Sequence, residues 1–310
     1  MEFSGALRGY VSITLASVLW GTMGVLAKLA YGFGIAPLTL IALRHVFSFG
    51  LLFLVLLLFN RGSMRIRRGD LLLFVVFGVF ATAFQRIAFF YAVDLTTATM
   101  AALLFYTYPV FVTVTASFLL KEKITGRIVS AIVLAFSGVA LVVKAYDVSA
   151  LKVNIVGIVF GLLSSLLFVV YFFVAKKLRR EYANWTLTLF GDGIGALMLL
   201  PVVFVGFPSI VVFPLELWIL ILVIAWVPSL LAYLLYSYSL KFVRASKGTI
   251  LGVMEPLTAA VLSTIFLGEN FELLQIVGMA LALTGVVLLF LEKIRTEINK
   301  KTNPNAKGNR

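Results

Sequence analysis

Ten runs of about twenty predominantly apolar residues, joined by short polar links, leave this chain few ways to fold. A hydrocarbon core of roughly 30 Å is crossed by about 20 helical residues, so each run is read as one membrane-spanning helix. The spans fall near 10–31, 37–59, 71–93, 98–120, 126–145, 154–176, 185–206, 214–238, 246–267 and 272–292. With 62% hydrophobic and 13% charged residues, the chain lies far from the composition of a soluble domain. A transmembrane barrel would instead show segments of about ten residues with alternating polarity. The first run is too long for a signal peptide and lacks a small-residue cleavage site, so it is expected to be retained.

A formal net charge of +13 would suit nucleic acid, yet the positions of the basic residues argue for topology instead. Of 26 Lys and Arg, 21 lie before the first span, in every second loop or in the tail, and the alternate loops hold only Lys144 and Lys152. Lys and Arg collect on the cytoplasmic side, so both termini are expected there, in a multi-pass protein of the cell (inner) membrane. Nucleic acid is not an expected partner; the lipid bilayer is. The tail from Lys293 is polar and basic, with its end expected to be disordered. The absence of cysteine excludes disulfides and thiolate chemistry.

The chain is also self-similar. Shifted by 147 residues, ATMAALLFYTYPVFVTVTASFLLKEK (98–123) falls on ASKGTILGVMEPLTAAVLSTIFLGEN (245–270). Pro109 then meets Pro256, Glu122 meets Glu269, and the Ser-Gly-Val at 137–139 meets the Thr-Gly-Val at 284–286. The expected fold is therefore an all-α membrane protein of ten transmembrane helices in two five-helix units, 1–145 and 146–292, followed by a basic tail, 293–310. Five being odd, the second unit must cross the membrane in the opposite sense. Such inverted repeats place substrate sites near the midplane beside interrupted helices. Pro109 and Pro256 are the interruptions, since each lacks a backbone donor; irregular backbone at that depth is tolerated where it is buried or lines a wet cavity.

These residues resemble the EamA family of the drug/metabolite transporter superfamily. The likeness rests on the two mid-span prolines, LLKE at 119–122 and FLGE at 266–269. SGVALVV and TGVVLLF, SVLWGTMGVLAKL in span 1 and APLTLIALRHVF in span 2 add to it, over roughly residues 10–292. The resemblance implies spans 1, 3, 4, 6, 8 and 9 around a central cavity, spans 5 and 10 at the periphery, and alternating access driven by an ion gradient or exchange. It implies no substrate.

Charges inside spans cost at least ~2.5 kcal/mol each and are functional by default. Glu255, near mid-depth of span 9, shares a helix face with Gly248 and Gly252, a small-residue groove leading to a carboxylate. It reads as a substrate-amine contact or protonatable coupling site, or else as a structural acid paired with a neighbouring helix. Arg86 in span 3 has Tyr233 at its repeat position. It is expected to hold a substrate carboxylate, with Asp94 or Glu255 as its partner in the empty site. Asp192, among glycines in span 7, could pair with a cation from another span and is, with Glu255 and His45, a candidate coupling residue, although span 7 is expected to be peripheral. A GxGD aspartyl protease is excluded because residue 189 is Leu. Arg44 more readily braces helix ends than binds substrate, and Lys28 is expected to snorkel. His45, the lone histidine, is a packing residue or a pH sensor. Metal-ligand spacing is missing, so no metal site is expected.

Aromatic residues make up 14% of the chain, and Trp20, Tyr91, Phe105, Tyr106, Tyr108, Trp226, Tyr233 and Tyr236 fall on spans expected to face the cavity. Aromatic walls with one cation and one acid suit a small amphipathic zwitterion. GxxxxGK[ST] is absent and no soluble domain could hydrolyse ATP. The expectation is a secondary carrier without cofactor, exporting amino acids or similar metabolites. Alternatives are a multidrug or nucleotide-sugar carrier and, from another class, a membrane scaffold or lipid-modifying protein. Catalysis is not expected, for want of a His, Cys or carboxylate cluster. A homodimer is a candidate assembly.

Overall fold

The computed structural model describes residues 2–120, 125–239, 242, 252 and 254–302. Among these the chain is helical, with no strand. It runs α1 (Glu2–Tyr31), α2 (Pro37–Phe59), α3 (Leu71–Val76), α4 (Gln85–Leu95), α5 (Ala98–Phe105), α6 (Tyr108–Leu120), α7 (Gly126–Val142) and α8 (Val148–Leu178). Then come α9 (Asn184–Val211), α10 (Leu215–Ile224), α11 (Ala232–Ser239), α12 (Met254–Leu267) and α13 (Leu273–Thr302). Seven helical segments are long and apolar enough to cross a membrane. Three shorter apolar ones accompany them: Gly126–Val142, Met254–Leu267 and Leu273–Leu289. The difference from the ten runs is one of length. Seventeen helical residues rise about 25 Å, short of the hydrocarbon core, and the expected start of span 9 lies outside the described residues.

Local chemistry explains the ends and breaks. Pro37 opens α2 from an extended Ala36, where its missing N–H is no loss. Thr97 caps α5 by accepting from the Met100 N–H. Pro109 separates α5 from α6: the intervening turn at Tyr106 and Thr107 is held by Thr107 Oγ1, 2.7 Å from the Leu104 carbonyl and 2.9 Å from Ser165 Oγ. At the far end α13 continues to Thr302, well past the expected span, because residues 290–302 hold neither Gly nor Pro and are rich in helix formers.

The two halves carry matching irregularities. A π-helical segment, Phe77–Phe84, joins α3 to α4, and another, Ala225–Leu231, joins α10 to α11; these occupy corresponding positions in the two repeats. Contacts between the halves are reciprocal as well. Gly138 of α7 lies against the backbone of Ala282 and Gly278, while Gly285 of α13 lies against that of Ala135 and Ala131. Each of these positions has its counterpart 147 residues away, which is the pattern a twofold relation demands. Without Cβ atoms at 138 and 285, the two backbones meet directly.

Candidate functional site

A cavity of about 520 Å3 runs through the middle of the bundle. Of the predicted substrate-binding residues, Trp20, Arg86, Tyr106, Tyr108, Tyr233 and Glu255 line it, as do Pro109, Gly252 and Arg44. Its walls are aromatic and interlocked. Trp20 packs edge-on against Tyr233 at 5.3 Å and against Tyr236 at 5.5 Å between ring centroids. Tyr108 approaches Phe168 at 4.5 Å, and Phe168 stacks on Tyr171 at 4.7 Å. At one end the wall reaches the exposed Lys176 and Arg179. Glu255 is partly buried and has no ion-pair partner among the described residues.

Tyr91 and Trp226 are set apart from this cavity. Tyr91 stacks on Phe160 at 5.3 Å. Trp226 sits in the second π-helical segment, 38% exposed, with its indole N–H donated to the Phe47 carbonyl at 3.3 Å. The wider π turn rotates side chains off the register a regular helix would give. Pro256 is buried and does not line the cavity, and Gly248 lies outside the described residues.

Behind Arg86 lies a buried polar cluster. His45 Nδ1 is 3.1 Å from Asp192 Oδ1, and Ser48 Oγ donates to Asp192 Oδ2 at 2.6 Å. Arg86 Nη2 stands 4.0 Å from Asp192 Oδ1, so its carboxylate neighbour is neither Asp94 nor Glu255 as expected. The reason is topological: α2 and α9 pack together and bring Asp192 beneath the π-helical segment that precedes Arg86. Arg44 Nε donates to Ser229 Oγ at 2.8 Å. Ser229 Oγ in turn donates to the Ile224 carbonyl at 2.7 Å. In the other half the Thr82 hydroxyl is shared between the Gly78 carbonyl of its own helix at 2.5 Å and the Gly191 carbonyl at 3.0 Å. Positions 44 and 191, and 82 and 229, correspond between repeats, so the bonds from Arg44 to Ser229 and from Thr82 to Gly191 are twofold mates.

At the opposite end from Lys176 the bundle is closed. Gly21 of α1 lies against the Glu255 carbonyl and Thr258, and Gly24 against Ala98. Thr99 Oγ1 and Ser263 Oγ are 2.6 Å apart. Glu269 Oε1 accepts from the Ala98 N–H at 2.9 Å, placing a carboxylate at a helix N-terminus. Lys28 does not reach outward: its ammonium donates to the Asp94 carbonyl at 2.9 Å.

Several wall residues were not singled out from the sequence. Phe168, Tyr171 and Lys176 fall toward one side of α8, with Arg179 just past its end, a pattern hidden by the nearly uniform hydrophobicity of that helix. Ser48 and Ser229 carried no signal, since isolated serines in apolar runs are common.

The comparisons fit this architecture. A crystal structure of a protein superposes with a TM-score of 0.65 at 18% identity, covering 95% of this chain and 99% of the other. An uncharacterized transporter of Archaeoglobus fulgidus is 30% identical over 92% of this chain and 97% of its own length. The uncharacterized inner membrane transporter YicL of Salmonella typhimurium is 24% identical over 93% and 97%. The model of the EamA-like transporter family matches twice, over residues 7–144 and 155–291, and the chain belongs to that family.

Proposed function

We propose that this protein is a secondary carrier of small amphipathic metabolites, with amino acids as the leading class, working by alternating access without cofactor or catalysis. The observation that carries the reading is the sharing of one aromatic-walled cavity by Arg86 and Glu255. A guanidinium and a carboxylate in such a cavity match the two charges of an amino acid, and the rings match its side chain. The fold is read as ten spans in two inverted repeats, 1–145 and 146–292, with the 293–310 tail and the N-terminus in the cytoplasm. Supporting this are the seven long and three shorter apolar helices, the two family matches, the reciprocal contacts between halves and the one-sided placement of Lys and Arg. The cell membrane is the proposed site, in keeping with the Salmonella relative's description as an inner membrane protein. The contacts at Glu269 and Lys28, with a cavity whose described wall reaches Lys176 and Arg179, support a reading in which substrate enters from the side of the termini and is exported.

The test is transport of a labelled amino-acid panel in proteoliposomes under imposed pH and voltage gradients, with Glu255→Gln in parallel. Saturable flux of a few amino acids, altered in its pH coupling by the variant, is expected. Flux of lipophilic cations or nucleotide sugars in place of amino acids would move the reading to a multidrug or nucleotide-sugar carrier. No flux of any class would return the protein to the non-transport alternatives.

A further inference from the structure

Two guanidinium groups, Arg44 and Arg86, line the cavity and repel one another, with the single carboxylate of Asp192 behind Arg86. Arg44 is 1% exposed, and its Nη1 is buried with no hydrogen-bond partner among the described residues. Its Nε is satisfied by the uncharged Ser229 hydroxyl. The Arg86 side chain is 12% exposed and stands 4.0 Å from Asp192, close enough for an ion pair and too far for a hydrogen bond. Asp192 itself is 3% exposed and does not line the cavity. Its oxygens are engaged by His45 and Ser48, so it attends Arg86 loosely and acts on Arg44 only through space, without a hydrogen bond. A buried charge without a hydrogen-bonded counter-ion is disfavoured, and Arg44, which lines the cavity although its Nη1 is itself covered, keeps a donor that an anion in the cavity can take once the side chain turns toward it. The far mouth repeats the bias: Lys176 and Arg179 stand there, against the single Glu255 along the whole wall.

We infer that Arg44 and Arg86 together receive one anionic group of the substrate, and that Asp192 is the internal counter-ion which that group displaces from Arg86. This rests on the carrier reading and narrows it. The obligatory feature of the substrate is its carboxylate; an amine is optional, and amphipathic molecules whose only charge is positive are rejected. Asp192 is then a positioning residue: it holds Arg86 in place while the cavity is empty and competes with the substrate for it. Fixing the counter-ion on α9, behind the wall, keeps the cavity hospitable to anions without leaving Arg86 bare.

Three probes of one shape separate the charges: leucine carries both, 4-methylpentanoate only the carboxylate, and leucinamide only the amine. Binding to the purified full chain is followed by quenching of tryptophan fluorescence, Trp20 being in the wall. Leucine and 4-methylpentanoate are expected to bind at least about tenfold more tightly than leucinamide. Asp192→Asn is expected to raise carboxylate affinity by roughly threefold to tenfold with leucinamide unchanged. Arg86→Gln should bring the ratio of leucine to leucinamide affinity down to about one. That ratio is insensitive to general loosening of the fold, and Arg86→Gln alone suffices should Asp192→Asn not fold. Leucinamide binding as tightly as leucine, or a ratio unmoved by Arg86→Gln, overturns the inference and leaves the carrier reading standing. Failure of all three probes to bind or cross overturns the amino-acid reading, and the inference falls with it.

Discussion

His45 and Asp192 are 147 residues apart in sequence and 3.1 Å apart in space. The separation equals the repeat length, so the two residues are each other's counterparts, and a contact between counterparts must lie on the axis that relates the halves. The polar pair therefore sits where both repeats meet, with α2 of one unit against α9 of the other. Gly195 places no side chain against the His45 ring, which a Cβ there would meet at 3.0 Å.

Removing the imidazole strips a buried carboxylate of one partner. His45→Ala is expected to lower stability by about 2–3 kcal/mol, seen as a fall in the thermal midpoint of the detergent-solubilised protein. Because the site lies on the twofold and Ser48 is the counterpart of Gly195, exchanging both pairs together preserves the contact. The variant carrying His45→Asp, Asp192→His, Ser48→Gly and Gly195→Ser is expected to recover at least half of that loss. A fourfold variant no better than the single one would remove the axis from the account.

The bond from Arg44 to Ser229 and that from Thr82 to Gly191 are mates, but they are not of equal weight. Ser229→Ala leaves a buried guanidinium, already short of one partner, without its Nε acceptor, at an expected cost of about 2–3 kcal/mol. Thr82→Ala removes a donor from an uncharged carbonyl and should cost about 1 kcal/mol. Ser229→Thr, which copies the residue found at the equivalent position, should be nearly neutral. Thermal midpoints of the three variants, measured side by side, give the order.

Gly138 and Gly285 occupy equivalent places in the contact of α7 with α13, and a methyl at either would overlap the facing backbone. Alanine at each is expected to destabilise by about 1–3 kcal/mol, to a similar extent at both. Neither residue lines the cavity, so substrate affinity measured on the folded fraction should be unchanged. A selective loss of affinity would show that the α7 and α13 contact shapes the cavity.

The repeat was legible because self-similarity survives in residue identity: Pro109 with Pro256 and Glu122 with Glu269 are visible without coordinates. So was much of the wall, since Trp20, Arg86, Tyr106, Tyr108, Tyr233 and Glu255 stood out as polar or aromatic groups on spans expected to face inward. What stayed hidden was pairing. Nothing in an apolar run says that Asp192 will reach under Arg86, because the distance is set by how α2 and α9 pack. The two π-helical segments were invisible too. They add a residue to the turn without changing composition, and one of them carries Trp226 away from the cavity.

The closed end of the bundle gives the last prediction. Thr99 and Ser263 touch through their hydroxyls, 2.6 Å apart and buried, between the helix capped by Thr97 and the one ending at Leu267. Under the proposed alternating access this contact, between α5 of one repeat and α12 of the other, parts once per cycle. The chain has no cysteine, so Thr99→Cys with Ser263→Cys introduces one pair in a silent background, at a spacing that suits a disulfide. Oxidation is expected to abolish transport in proteoliposomes, and reductant to restore it, while substrate binding from the open end persists. Each single variant should transport through the same oxidation. Full transport by the oxidised double variant, with cross-linking verified by mass spectrometry, would mean that this end of the bundle does not open.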